Sequence, residues 1–204
     1  MRGATEALSA ILVTGILISV VGSVYFWGLP LIQKNKDIAT LESAEKFMVN
    51  LDRKIKSVSN SGGRDEIKIN VPGILAFDGN SLALVIETQG TQYAKNAMIP
   101  LGKNICTLET GVWGADEPDT LCAYSQEISE TMFNTTYVLR FAQLDTKISE
   151  TLKGPESYRI SLGGLPSRGG EGRTVIIENL GTEKEALQGG RNLIKTKIAI
   201  KIQT

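Results

Sequence analysis

The chain has 204 residues and a mass of 22.1 kDa, room for one ordinary domain and an appendage. Its 22 Lys and Arg balance 22 Asp and Glu, so charge gives no reason to expect a nucleic-acid partner. Histidine is absent and there are 2 cysteines, which removes histidine-based triads and dyads, HExxH zinc chemistry and clusters held by thiolates alone. No cofactor or metal is expected.

The 26 residues from Ala7 to Ile32 carry no charge, with Glu6 before them and Lys34 after. As a helix they span about 39 Å, against about 30 Å of bilayer hydrocarbon. Tyr25 and Trp27 sit near the far end, where an interfacial aromatic belt belongs. Pro30 then permits a kink or a stop. Residues 1–37 therefore read as a transmembrane or filament-core helix. A cleaved secretory signal has a shorter apolar core and ends at small residues, whereas this run ends in Val24-Tyr25-Phe26-Trp27. A buried core helix would carry some charged face. Gly15, Ser19, Gly22 and Ser23 make a small-residue stripe that would let another helix approach. The plain alternative is that membrane helices tolerate glycine and serine.

From residue 38 to 60 an amphipathic stalk helix is expected. Leu41, Ala44, Met48, Leu51, Ile55 and Val58 recur at spacings of 3 and 4, among Glu42, Glu45, Lys46, Asp52, Arg53, Lys54 and Lys56. Ser59-Asn60-Ser61-Gly62-Gly63 ends it. Packing on the chain's own sheet is the economical use of this stripe, a coiled coil the alternative.

Residues 61–204 read as strand. Ile67, Ile69 and Val71 alternate with polar residues, and Ile74–Phe77, Asp78-Gly79-Asn80 and Leu82–Glu87 form a hairpin pattern. Tyr137–Asp145, Ser157–Leu162 and Thr174–Glu178 follow as shorter strands. The last is the clearest: Ile194, Thr196, Ile198, Ile200 and Ile202 oppose a face rich in lysine. Long polar loops are expected at 99–125 and 163–172, and one helical turn at most at 182–188. The fold class is α+β: a long hydrophobic helix with an amphipathic extension, packed on an antiparallel, sandwich-like β domain.

Chemical signals are few. Cys106 and Cys122 flank an otherwise irregular loop and suit a disulfide worth about 3 kcal/mol, the alternative being two buried thiols. Asp116, Glu117 and Asp119 lack the spacing of a calcium loop and read as a solvated acidic segment. Asn134-Thr135-Thr136 is a glycosylation sequon. The glycines from Gly163 to Gly172 fit turns, since neither GxxxxGK[ST] nor a strand–GxGxxG–helix is present. The basic residues on the two sides of the helix, Arg2 against Lys34 and Lys36, slightly favour the wrong side for an exported domain. The cysteine pair and the sequon nevertheless favour an extracytoplasmic β domain at a membrane or cell surface.

The opening Met1-Arg2-Gly3-Ala4-Thr5-Glu6-Ala7-Leu8-Ser9, followed by the apolar run, resembles the class III signal region of archaeal type IV pilin-like proteins and archaellins. The resemblance covers about the first 55 residues. It implies cleavage between Gly3 and Ala4 by a prepilin peptidase, retention of the apolar helix, and packing of that helix against like subunits in a pilus-like filament or secretion machine. The leader holds one basic residue where the family often has more, and Glu6 falls earlier than the glutamate of bacterial type IV pilins. Glu6 would pair with the new ammonium of Ala4 in a neighbour, or else mark the membrane boundary. The assembly residues are then Glu6, Gly15, Ser19, Gly22 and Ser23. The alternative is a single-pass anchor, in contact with lipid, carrying an extracytoplasmic binding or accessory domain. No enzyme activity is expected.

Overall fold

The computed structural model describes residues 2–149 and 153–203, with side chains from Ser9 onward. One helix, α1 (Arg2–Ser61), precedes the strands. These are β1 (Arg64–Lys68), β2 (Ile74–Phe77), β3 (Leu82–Thr88), β4 (Met98–Pro100), β5 (Thr110–Val112), β6 (Asp119–Ser129), β7 (Met132–Phe141), β8 (Gln143–Lys147), β9 (Lys153–Gly163), β10 (Ser167–Gly170), β11 (Thr174–Ala186) and β12 (Asn192–Ile202). Two sheets of six strands result, in the orders β1-β11-β12-β9-β8-β5 and β10-β2-β3-β7-β6-β4.

The amphipathic stripe is the part of α1 that the domain encloses. Leu41, Ala44, Met48, Leu51, Ile55 and Val58 are all buried, joined by Phe47. They form one cluster with Leu84, Ile86 and Leu139 of the second sheet and with Val175, Ile177, Ile198 and Ile200 of the first. Burying side chains of this size contributes on the order of 2 kcal/mol each. The helix stops where the sequence requires. Gly62 and Gly63 take φ of 75° and 81°, and the Gly62 amide donates to the Val58 carbonyl at 3.0 Å. Asn179 of β11 donates its side-chain amide to the same carbonyl at 2.9 Å, tying the helix end to a strand remote in sequence.

α1 continues through Pro30, so the apolar run and the amphipathic stripe share one helix, as their patterns predict. Four local features depart from the sequence expectation. Strand β10 occupies the middle of the segment 163–172, where a loop is expected. The second sheet is antiparallel throughout, but β12 runs parallel to β9 and β5 parallel to β8. Alternation identifies a strand and its wet face without naming the direction of its neighbour. The segment 99–125 holds β4, β5 and the start of β6. Consecutive residues from Asp119 to Ala123 are buried, so the period-two signal is lost. β11 continues through 182–186, a segment read as turns with at most one helical turn, past an irregularity at Gly181 with φ of 97°; a single 3-10 turn follows at Gln188–Gly190.

The run from Tyr137 to Asp145 changes sheet at Ala142, whose amide donates to the Pro118 carbonyl at 2.7 Å. The β2–β3 hairpin forms as expected, its turn held by Asp78, whose carboxylate accepts from the amides of Asn80 and Ser81.

The C-terminal strand supplies the most direct test of the core. Ile198 and Ile200 are buried, while Lys197 ion-pairs with Glu183 on the exposed side. Replacing Ile198 or Ile200 by Asp should abolish the cooperative melt followed by circular dichroism, because an unpaired carboxylate would enter the core. Lys197→Ala and Lys201→Ala should cost less than about 1 kcal/mol. Equal tolerance of both sets would contradict the burial pattern.

Candidate functional site

α1 has two halves in different surroundings. From Ser9 to Ile32 it is long and apolar enough to cross a membrane, and none of its apolar window is buried against the domain. Phe26 and Trp27 are each 84% exposed, which a water-soluble surface would not tolerate beside so many aliphatic neighbours. The residues Gly15, Ser19, Gly22 and Ser23 lie along one exposed line. A side chain built at Gly15 or Gly22 would meet nothing, and the hydroxyls of Ser19 and Ser23 donate back to the carbonyls four residues earlier. Gly3, Ala4 and Glu6 lie on the first turns of α1, and the Glu6 side chain is outside the described residues.

The helix enters the domain at Asp37. This buried carboxylate accepts from the Gln33 side-chain amide at 2.9 Å and from the Gln89 backbone amide at 3.0 Å. One turn later Tyr137 of β7, fully buried, donates to the Leu41 carbonyl at 2.9 Å. Its hydroxyl lies 3.1 Å from that of Tyr93, which donates to Glu45. Burial, Tyr93 and Glu45 together hold the Tyr137 phenol far above its ordinary pKa, so it remains a donor.

The end of the domain remote from the apolar half of α1 carries the densest electrostatics. Lys56 faces Asp52 at 2.9 Å and Asp119 more closely still, with Glu117 at 3.9 Å. Burial alone would depress the Lys56 ammonium, but its bonds to Asp119 and Asp52 outweigh that and raise it. One ammonium cannot neutralise three carboxylates. Asp52 carries the imbalance: burial first, then the nearby Asp119, lift it from 3.8 to about 6 despite its bond to Lys56. Asp116 accepts from the Val112 amide at 2.7 Å, and Glu117 also pairs with Lys103. The three loop carboxylates are thus engaged by protein donors, and among the described residues no cluster of three or more potential ligands could hold a metal ion.

Beside this network an open groove of about 460 Å³ is floored by Ile160, Ile194 and Thr196. Trp113 and Tyr158 wall it, their ring centroids 4.4 Å apart. Another buried carboxylate, Asp145, is held by Lys153, Gln143, Ser157 and Arg191, which overcome burial and keep it well below the usual carboxylate range. Its neighbours are all donors, which makes it a brace between β8, β9 and the start of β12. The sequence does not announce the Tyr137 network, whose members lie far apart in the chain, nor that of Asp145, whose partners meet only through the pairing of β8 with β9 and the arrival of Arg191.

Cys106 and Cys122 form a disulfide, with Cα atoms 5.9 Å apart, pinning the loop after β4 to β6. Asn134 lies within β7, half-buried, beside the fully buried Thr135. No protein-family model, curated protein or solved structure matches the chain.

Two expected outcomes follow from this geometry. Asp52 binds its proton more tightly in the folded protein than in the unfolded, so its contribution to stability is largest below pH 4 and falls as pH rises to about 6. The loss amounts to at most about 3 kcal/mol. Urea titrations of the detergent-solubilised chain from pH 4 to pH 7 should show this decline, and Asp52→Asn should flatten it. An unchanged slope in the variant would assign the effect elsewhere. For the disulfide, replacing both cysteines by Ser should cost about 3 kcal/mol and leave the circular dichroism spectrum native. A collapsed spectrum would mean that the bond is required for folding.

Proposed function

We propose that this chain is a single-pass membrane protein that carries its β domain on the extracytoplasmic side, as a binding or accessory module rather than an enzyme. The observation that carries this reading is the bare apolar half of α1, continuous with the half that forms the domain core. An anchor joined by a flexible linker would let the domain wander. This one enters the core directly, so the domain stands at a set height above the bilayer. The disulfide supports an oxidising compartment. The Trp113–Tyr158 groove, at the end of the domain far from the anchor, is its concave surface for a ligand. Membranes washed with alkaline carbonate should retain the chain, and protease added outside intact cells should remove the β domain. Release by the wash, or protection from outside protease, would overturn the reading.

A second reading is favoured by the unbroken rod of 60 residues, half of it enclosed and half bare, with small residues aligned on the bare half. In this reading the chain is a pilin-like subunit, cut between Gly3 and Ala4 by a prepilin peptidase and packed through α1 against like subunits. Glu6 then neutralises the Ala4 ammonium of a neighbour in a dry core, where an unpaired charge would cost several kcal/mol. Mass spectrometry should find Ala4 as the first residue. Glu6→Gln should sharply reduce the subunit released by shearing cells while leaving the membrane pool unchanged. An uncut N-terminus together with normal yield from the variant would exclude it.

A further inference from the structure

The β6–β7 hairpin ends beside the base of the anchor, and its tip carries apolar side chains that the domain does not cover. Glu130 and Thr131, the two turn residues, line one cavity with Pro30, Gln33 and Lys34 of α1. The tip therefore reaches the level of α1 where the apolar run ends. Chain lengths agree with this. From Leu41, bonded by Tyr137, back to Pro30 is about 16 Å of helix, and from Tyr137 to Met132 is about 17 Å of strand. Trp27 lies only about 5 Å further along the helix than Pro30.

Ile128 is 53% exposed and Met132 40% exposed. They flank the turn, and a register shift between Glu127 and Ser129 leaves Ile128 outside the ladder. Two of the acidic groups nearest the tip are already engaged by protein donors. Glu127 is paired with Lys95 at 2.7 Å, and Lys95 also lies over the Phe133 ring. Asp37 is buried and bonded. Lys34 and Lys36, exposed on α1, stand where lysines extend towards headgroups. Glu130 is the one acidic side chain exposed in the turn itself.

We infer that the β6–β7 tip is a second membrane contact, with Ile128 and Met132 entering the lipid headgroup layer beside the anchor. This rests on the membrane-anchor reading of α1. Each polar layer of a bilayer is roughly 5–8 Å thick, and a hydrocarbon boundary near Leu29 puts the tip within it. The contact is apolar, so it holds on zwitterionic and anionic lipid alike. Two attachment points, a helix and a hairpin, fix the tilt of the domain as well as its height.

The test uses the full chain in vesicles of phosphatidylcholine alone or with phosphatidylglycerol. Single nitroxide labels are placed by Ile128→Cys, Val20→Cys and Gln188→Cys, the native cysteines being bonded to each other. The ratio of oxygen to nickel-chelate accessibility should be highest at Val20 and lowest at Gln188. Ile128 should lie several-fold above Gln188 in both lipids. Adding Met132→Glu should return the Ile128 label to the Gln188 value without changing Val20, and since both positions are exposed the fold is not at stake. A water-like Val20 label would overturn the anchor reading itself. A lipid-exposed Val20 with a water-like Ile128 would overturn only this inference. Ile128 values raised on anionic vesicles alone would assign the contact to Lys34 and Lys36. An immobilised Ile128 label shielded from both reagents would assign the tip to a second copy of the chain.

Discussion

The structure depends on burial of one stripe of a single helix between two sheets. Leu41, Met48, Leu51, Ile55 and Val58 join side chains of both sheets in one core cluster. Removing the stripe would uncover the apolar side chains that pack on it, so the sheets and the second half of α1 stabilise one another. The same helix, continued towards its N-terminus, presents an apolar surface with no protein to cover it. A segment that cannot be solvated by water and a segment that organises the core are therefore rigidly joined, and the position of one dictates the position of the other.

Polar groups at the two ends of the enclosed segment set its register. Near the entry, Asp37 takes the Gln89 amide and Tyr137 takes the Leu41 carbonyl. At the exit, Asn179 takes the Val58 carbonyl. A slip of α1 by one turn along its axis would leave these groups buried and unpaired, at roughly 1–3 kcal/mol each. Hydrophobic burial alone is non-directional and would allow such slips. The polar pins convert a greasy contact into a defined one.

The distal end shows the opposite compromise. Lys56 binds Asp119 and Asp52 at once, and the surplus negative charge raises Asp52. An apolar substitute would avoid that penalty, but the network ties α1 to the start of β6, close to the disulfide at Cys122. Asp145 has no such surplus, since Lys153 and Arg191 both face it. Two buried carboxylates in one domain thus shift in opposite directions, because one lacks enough cationic partners and the other has two.

Periodicity and composition by themselves determined the long helix, the stripe it buries, the glycine stop at Gly62 and the half-buried character of β12, because each is written in neighbouring residues. The absence of histidine and the charge-free run from Ala7 to Ile32 likewise limited the chemistry and indicated an apolar environment. Only the tertiary structure decided which strands pair and in which direction, as with the parallel β9 and β12. It also decided that Cys106 and Cys122 join, and that Tyr137, Tyr93 and Glu45 meet at the helix. Strand direction, the hydrogen bonds from Tyr137 and Asn179 to the helix, and the nearness of the β6–β7 tip to Pro30 depend on residues dozens or more positions apart. Their association is set by how the core closes, which no local pattern records.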